Sequence, residues 1–188
     1  MPEEPLEDRT KRALDAALRQ LLEEKSLDQI RVRELTALCG IRRQSFYYHF
    51  PDVYALFAWS LARETEGLLA RQAQCLTWQQ ALRTLLVRLA QNRPYYRALL
   101  EHRGRAGLRE VLALGGLLER TLDYYRRRSG GPRPGPAELD CWETLLLTLL
   151  ESWVRDELAQ PPETLLALLE DVVRQGAVGA AWQNLGSR

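Results

Sequence analysis

Apolar residues recur at every third or fourth position along most of this 188-residue sequence. The first stripe consists of four leucines, Leu14, Leu18, Leu21 and Leu22. This spacing places them on one face of an α-helix, and no segment shows the strict alternation that predicts a strand. Proline and glycine interrupt the pattern, most clearly over residues 129–136 and at Pro161 and Pro162. The sequence therefore predicts an all-α fold of about nine helices, with an N-terminal three-helix unit before a larger helical region.

Composition excludes several classes of protein. The apolar fraction of 46% is too high for a disordered chain. The cysteines Cys39, Cys75 and Cys141 are far apart and form no CxxC pair, so neither a disulfide framework nor a zinc site is indicated. No run reaches the length of a membrane span, and the acidic start of the chain is unlike a signal peptide. We expect a soluble cytoplasmic protein with no cofactor, no metal site and no membrane contact.

The net charge of +1 conceals two segments of opposite charge. Residues 83–133 contain 12 arginines and 4 acidic residues, whereas residues 137–182 contain 2 arginines and 9 acidic residues. The basic segment is either a solvated face or one half of an attraction to the acidic segment, within one chain or between chains. The near-neutral total does not exclude nucleic-acid binding, because the local field is what a ligand meets.

The segment from Ile30 to Phe50 has the pattern of two short helices joined by a tight turn. The helices are predicted over Val32–Cys39 and about Arg42–His49. Gly40 can adopt the positive φ that a tight turn after a helix requires. Thr36 supplies a small side chain where the two helices would cross. Three apolar residues are placed to hold the second helix against its neighbours, namely Leu35, Ile41 and Phe46.

The outward face of the second short helix carries long donors, an amide, a hydroxyl and aromatic rings. Its members are Arg42, Arg43, Gln44, Ser45, Tyr48 and His49. This mixture suits contact with phosphates and base edges in a major groove, whereas a purely structural helix would carry Glu and Lys there. The segment therefore predicts a helix-turn-helix unit that binds double-stranded DNA. The alternative is a helical hairpin with a polar outer face.

The run Phe46-Tyr47-Tyr48-His49-Phe50, followed by Asp52, resembles the end of the third helix in TetR-family transcriptional regulators. The segment Thr36–Ser45 and, more weakly, Asn92–Leu100 resemble the branch of dihydroxyacetone-kinase operon activators. The resemblance is strong over residues 9–60. It implies a disordered tail (1–8), a helix-turn-helix DNA-binding domain (9–51) and a helical regulatory and dimerisation domain (52–188).

The resemblance also implies roles for individual residues. Bases or nearby backbone would be contacted by Arg42, Gln44 and Ser45. Phosphates would mostly be held by Arg43, Tyr47 and His49. Arg33 stands where the family usually has a phosphate-binding Ser or Thr, and Tyr48 occupies a variable position. Pro51 and Val53 replace lysines that the family commonly carries, which should weaken nonspecific phosphate affinity and its salt dependence.

One helix-turn-helix unit reads few bases, so we expect a homodimer on a pseudo-palindromic operator. The last two helices are apolar over so wide an arc that a second chain is predicted to cover them. The predicted dimer residues are Leu146, Leu149, Leu150, Trp153, Leu165, Leu169, Val172 and Val173. The alternative is that both faces lie within the core of one chain.

Aromatic residues of the C-terminal region are candidates for an effector site. They are Trp78, Tyr95, Tyr96, Tyr124 and Trp142, and plain core packing is the alternative for each. The family resemblance leaves both a small-molecule and a protein effector open. Repression is the commoner outcome in the family, and activation is known in the branch resembled here.

An enzyme is not predicted. The only histidines are His49, within the DNA motif, and His102, and no Gly-rich phosphate loop, HExxH or GxSxG motif occurs. The alternative function is a helical adaptor that binds a partner protein. Such an adaptor would be expected to lack the recognition-face donors, and here Arg42, Arg43, Gln44 and Tyr47 are all present.

Overall fold

The computed structural model describes residues 6–129, 133, 135–156 and 160–185, which form nine α-helices and no strand. The all-α prediction is confirmed. The helices are α1 (Leu6–Leu22), α2 (Val32–Cys39), α3 (Arg43–His49), α4 (Val53–Gln74), α5 (Trp78–Gln91), α6 (Arg93–Leu112), α7 (Leu114–Ser129), α8 (Pro136–Val154) and α9 (Pro162–Leu185). A 3-10 turn, Leu27–Gln29, connects α1 to α2. Because α1 begins at Leu6, it overlaps the end of the predicted tail.

Local side-chain chemistry sets several helix starts. The Asp52 carboxylate accepts a hydrogen bond from the Ala55 amide at 2.8 Å and caps α4. Thr77 and Gln80 form a reciprocal capping box at the start of α5. Pro94 lies in the first turn of α6, where the missing N–H costs nothing.

The sequence predicts a continuous helix over residues 107–128, and the structure divides it. The segment from Gly107 to Leu112 instead belongs to α6, and α7 begins at Leu114. Ala113, between them, adopts a left-handed conformation with φ 48° and ψ 46°. Within α6, Gly104 has φ 61° and ψ −164°, a backbone conformation that residues other than glycine rarely adopt. Helical spacing continues across both positions, so periodicity alone did not reveal the breaks.

Helices α1–α3 (Leu6–His49), here called the head, pack on helices α4–α9 (Val53–Leu185), here called the body. Helix α1 contacts α2 in the head and both α4 and α6 in the body. The leucines predicted to form one stripe on α1 are buried in a core that is continuous between head and body. In the body, α8 packs on α6 and α7, while α9 packs on α5 and α7. Of the helices described, none combines the length and apolar character of a membrane span.

The basic and acidic segments meet within the chain. Arg105 Nε lies 2.8 Å from a carboxylate oxygen of Glu151, and Arg109 Nη2 lies 2.6 Å from one of Glu143. At the end of α8, Asp156 pairs with two arginines of α6, Arg93 and Arg97. These pairs link α6 to α8 along its length. Of the alternatives left open by the charge pattern, attraction within one chain is the one observed.

Candidate nucleic-acid interface

Gly40 and Thr36 determine the geometry of the turn between α2 and α3. Gly40 has φ 63° and ψ 28°, and a Cβ built there would meet nothing within 4 Å. Its backbone conformation, and not crowding, therefore requires glycine. The Ile41 amide donates to the Thr36 carbonyl at 3.0 Å, and the buried Thr36 hydroxyl donates to the Val32 carbonyl at 3.0 Å. These bonds close the end of α2 and set the direction in which α3 leaves.

The inner face of α3 is held by aromatic packing. Phe46 is fully buried, and its ring centroid lies 6.1 Å from that of Phe50. Phe50 in turn lies 5.7 Å from the ring of Trp59 on α4. Because three rings connect α3 to the long helix that enters the body, the position of α3 is tied to that of α4.

The structure places the predicted DNA-binding residues on one surface. Seven are exposed: Arg33, Arg42, Arg43, Gln44, Ser45, Tyr47 and Tyr48. The Tyr47 side chain is 57% exposed and that of Tyr48 is 78% exposed, unusually high values for tyrosine. His49 is half-buried, with its ring 4.9 Å from that of Tyr48. The surface therefore presents cations, amide and hydroxyl donors, and flat rings together.

The arginines of this surface differ from those of the body in their partners. Arg33, Arg42 and Arg43 form no ion pair and donate no hydrogen bond within the residues described. Many arginines of the body, in contrast, are paired with carboxylates of α8 or α4. Within the part of the chain that the structure describes, no carboxylate forms an ion pair with these three arginines. Such side chains can approach phosphates without first breaking an internal pair.

No family model matches the sequence. A curated protein, the HTH-type dhaKLM operon transcriptional activator DhaS of Lactococcus lactis subsp. lactis (strain IL1403), is 27% identical over 90 residues. The match covers 48% of this chain and 48% of that protein, so the chain is aligned with about half of its curated relative.

Two solved structures share the architecture. The dihydroxyacetone kinase operon activator DhaS superposes with a TM-score of 0.63 and 19% identity, over 87% of this chain and 93% of that structure. A transcriptional regulator of the TetR/AcrR family from Aquifex aeolicus VF5 gives a TM-score of 0.62 and 15% identity, over 89% and 96%. The chain has a TetR-type fold. The expected fold and the resemblance to TetR-type regulators and to operon activators of this kind are confirmed.

Within this TetR-type fold, the aromatic candidates for an effector site lie in three places. Trp78 and Trp142 line an apolar cavity between α5, α7, α8 and α9, with a volume of about 40 Å³, which reaches the surface beside Leu145 and Val172. That volume holds about one to three water molecules, so a larger ligand requires the helices to separate. Tyr124 is exposed on α7, where it lines a surface groove together with Trp78. Tyr95 and Tyr96 are buried in a polar cluster and do not line the cavity.

The predicted dimer residues divide between the interior and the surface. Five are buried within the chain: Leu146, Leu150, Trp153, Leu165 and Leu169. Leu149 is half-buried, Val172 is exposed, and the side chain of Val173 lies outside the described residues. The outward apolar residues of α8 and α9 also include Leu145 and Leu168, each 52% exposed. An apolar face is therefore present on these helices. It includes Val172, which was predicted, and Leu145 and Leu168, which directly precede the predicted residues Leu146 and Leu169.

Sequence reasoning missed a buried polar cluster where α1 meets α4, α5 and α6. At its centre, the Glu64 carboxylate accepts hydrogen bonds from Arg88 Nε and from the Tyr96 hydroxyl, each at 2.7 Å. Burial raises the pKa of Glu64, but these bonds and the charge of Arg19 outweigh burial and hold that pKa at about 2. The available signal was the spacing of Ser60 and Glu64, four residues apart on the apolar side of α4.

Proposed function

We propose that this chain is a sequence-specific DNA-binding regulator of transcription in which α3 is the recognition helix. The surface of unpaired arginines and exposed tyrosines around α3 carries the proposal. A rigid helix with an apolar inner face and cationic, hydrogen-bonding outer side chains is the form that enters a major groove. The similarity to a transcriptional activator and to other regulators of this fold supports a regulator in preference to an enzyme.

The proposed regulator is a cytoplasmic homodimer on a pseudo-palindromic operator. Residues 9–51 bind DNA, and residues 52–188 provide regulation and dimerisation. The outward apolar residues of α8 and α9, Leu145, Leu168 and Val172, form the proposed dimer face, since exposed leucines of this extent favour burial against a second surface.

An effector of the body, a small molecule or a protein, is proposed to change the distance between the two recognition helices through α4. A small-molecule effector would enter between Trp78 and Trp142 and widen the apolar cavity. A change of a few ångströms would misalign one half-site, and a coupling free energy of roughly 1–3 kcal/mol is enough to alter operator occupancy. Repression and activation are both compatible with this geometry.

Selection from a pool of randomised duplexes tests the proposed function. The parent chain, the double variant Arg43→Ala/Tyr47→Ala and the control variant Arg83→Ala are each incubated with the pool, and the bound DNA is sequenced. Arg83 is exposed on α5 and forms no ion pair within the described residues, so its removal deletes the same charge outside the interface.

We expect the parent and Arg83→Ala to enrich the same pseudo-palindrome, and the double variant to enrich none. If the folded, dimeric parent enriches no sequence at low salt, the DNA-binding proposal is wrong. A helical adaptor that binds a partner protein then becomes the better account of the fold.

A further inference from the structure

The polar cluster at the junction of head and body is partly buried, with Glu64 at its buried centre, and hydrogen bonds and ion pairs join its members. Its acidic members are Asp15 on α1 and Glu64 on α4, and its basic members are Arg19 on α1 and Arg88 on α5. Ser60, Asn92, Tyr95 and Tyr96 complete it. Two positive and two negative charges balance, which is the condition under which charged groups are tolerated away from water.

Arg19 is the member that connects the head to several elements of the body. Its Nη2 donates to the Ser60 hydroxyl at 3.3 Å and to Glu64 at 3.1 Å, both on α4. Its Nη1 donates to the Asn92 amide oxygen at 3.3 Å, at the junction of α5 and α6. The guanidinium also lies over the ring of Tyr95 on α6, 3.9 Å from its centroid. One side chain of the head therefore contacts α4, α6 and the end of α5.

The acceptors of Arg19 are themselves held in place. Ser60 donates to Asp15 and lies 2.9 Å from the Tyr95 hydroxyl, so its hydroxyl is fully used. Arg88 donates one hydrogen bond to each carboxylate oxygen of Glu64, both at 2.7 Å. A planar guanidinium that meets fixed acceptors at defined angles resists both sliding and rotation. The buried leucines of α1 resist separation of α1 from the body, but apolar contacts specify its orientation less sharply.

The orientation of α1 relative to the body also determines that of the proposed recognition helix α3. Helix α1 packs directly on α2, and the α2–α3 turn is fixed by Gly40 and Thr36. We propose that Arg19 is a positioning residue. The hydrogen bonds that its guanidinium donates to Ser60, Glu64 and Asn92 set the angle at which the head is held on the body. Displacement of α5 or α6 by an effector would move Asn92 or Tyr95 and so reach the head through this residue.

Distance measurements between spin labels in the free protein test the proposal without requiring DNA. Labels are attached at Ala37→Cys on α2 and Glu119→Cys on α7, both exposed positions, after replacement of Cys39, Cys75 and Cys141. Dilution with unlabelled chain leaves only distances within one chain. The variant Arg19→Met removes the hydrogen bonds of the guanidinium but leaves Glu64 bonded to Arg88 and Tyr96.

The matched control is Arg88→Met, which removes two hydrogen bonds from the same carboxylate but leaves the link between Arg19 and Glu64 intact. We expect Arg19→Met to broaden the distance distribution about twofold. Arg88→Met frees one acceptor of Arg19 but leaves its bonds to Ser60 and Asn92, so it should broaden the distribution much less, even if both variants lower the melting temperature. The variant Ser60→Ala removes one acceptor of Arg19 together with the bond from Ser60 to Asp15, and it should broaden the distribution in the same direction.

Operator affinity supplies a second readout, which rests on the proposed DNA binding. We expect Arg19→Met to lose about tenfold in affinity and Arg88→Met to lose much less. Equal broadening in Arg19→Met and Arg88→Met, or unchanged distances in Arg19→Met and Ser60→Ala, would overturn the positioning role. Broadening in a protein that selects no DNA would support the positioning role and count only against the proposed function.

Discussion

At the scale of single residues, the arginines of α3 and those of the body differ in what surrounds them. Arg43 is exposed and unpaired within the described residues, so a phosphate that it contacts releases a counterion from DNA. We expect Arg43→Ala to weaken binding to all sequences and to reduce the slope of log affinity against log salt by about 1. Titration at several salt concentrations measures this slope.

Arg83→Ala is the control for that titration. It removes an exposed arginine from α5, outside the proposed interface. The parental slope should be retained in this variant. An equal change of slope in both variants would mean that total charge, and not the α3 surface, determines affinity.

Glu64 gives a prediction about acid stability. Its pKa lies at about 2 in the folded chain, against an ordinary value of 4.5. A carboxyl whose pKa is depressed by folding stabilises the chain above its unfolded pKa, and this contribution is lost as pH falls toward the folded pKa. The free energy of unfolding should therefore fall between pH 4.5 and pH 2, by up to about 3 kcal/mol from this group.

Urea unfolding at several pH values measures the effect. The variant Glu64→Gln lacks the titrating group, so it should be less stable than the parent at neutral pH and lose less stability on acidification. Parallel pH profiles for the two proteins would contradict the assignment of this loss to Glu64.

At the scale of elements, Gly40 and Gly116 form a matched pair. Gly40 has a positive φ, whereas Gly116 is an exposed helical residue of α7, and a Cβ would find open space at both. We expect Gly40→Ala to destabilise the chain by about 1–2 kcal/mol, because the left-handed conformation is strained for alanine. Gly116→Ala should be neutral or stabilising by up to about 1 kcal/mol. Chemical denaturation distinguishes them, and equal effects would contradict the account of the turn.

The helices could be predicted where local chemistry marks their ends. Asp52, Thr77 and Gly40 cap or terminate helices through their own backbone and side-chain preferences, and the structure has helix boundaries at all three. The break at Ala113 was not predictable, because nothing in an alanine marks a left-handed residue. Its conformation is set by the reversal that brings α7 back onto α5, α8 and α9.

The exposed face of α3 could also be predicted from the sequence, since a seven-residue helix has few possible inward residues and Phe46 is the evident one. Helices α8 and α9 are different. They are apolar on several sides, so the pattern did not separate buried Leu146 and Leu150 from outward Leu145 and Leu168. The charged cluster around Glu64 was missed because its members come from four different helices, and the apolar pattern of a single helix does not show which polar residues will meet.

At the scale of the whole molecule, the dimer face can be tested with two surface leucines. Leu168 is exposed on α9, within the proposed face, and Leu76 is 91% exposed in the connection before α5, outside it. We expect Leu168→Glu to shift the chain toward monomer by about tenfold or more, because a charge would be buried at the interface. Leu76→Glu should leave the oligomeric state unchanged.

Sedimentation velocity over a range of concentrations measures this shift, and circular dichroism checks that both variants remain helical. A folded Leu168→Glu variant that dimerises as tightly as the parent would exclude this part of α9 from the interface.

The central claim is that α3 of each subunit enters the major groove, and chemical substitution of DNA tests it most directly. In the selected duplex, purines are replaced one at a time by 7-deazapurines, which lack the N7 acceptor of the major groove. We predict loss of affinity at purines in two half-sites whose centres lie about 34 Å apart, or a multiple of it, and no loss between them. Unchanged affinity at every position would contradict the claim that α3 reads DNA through the major groove.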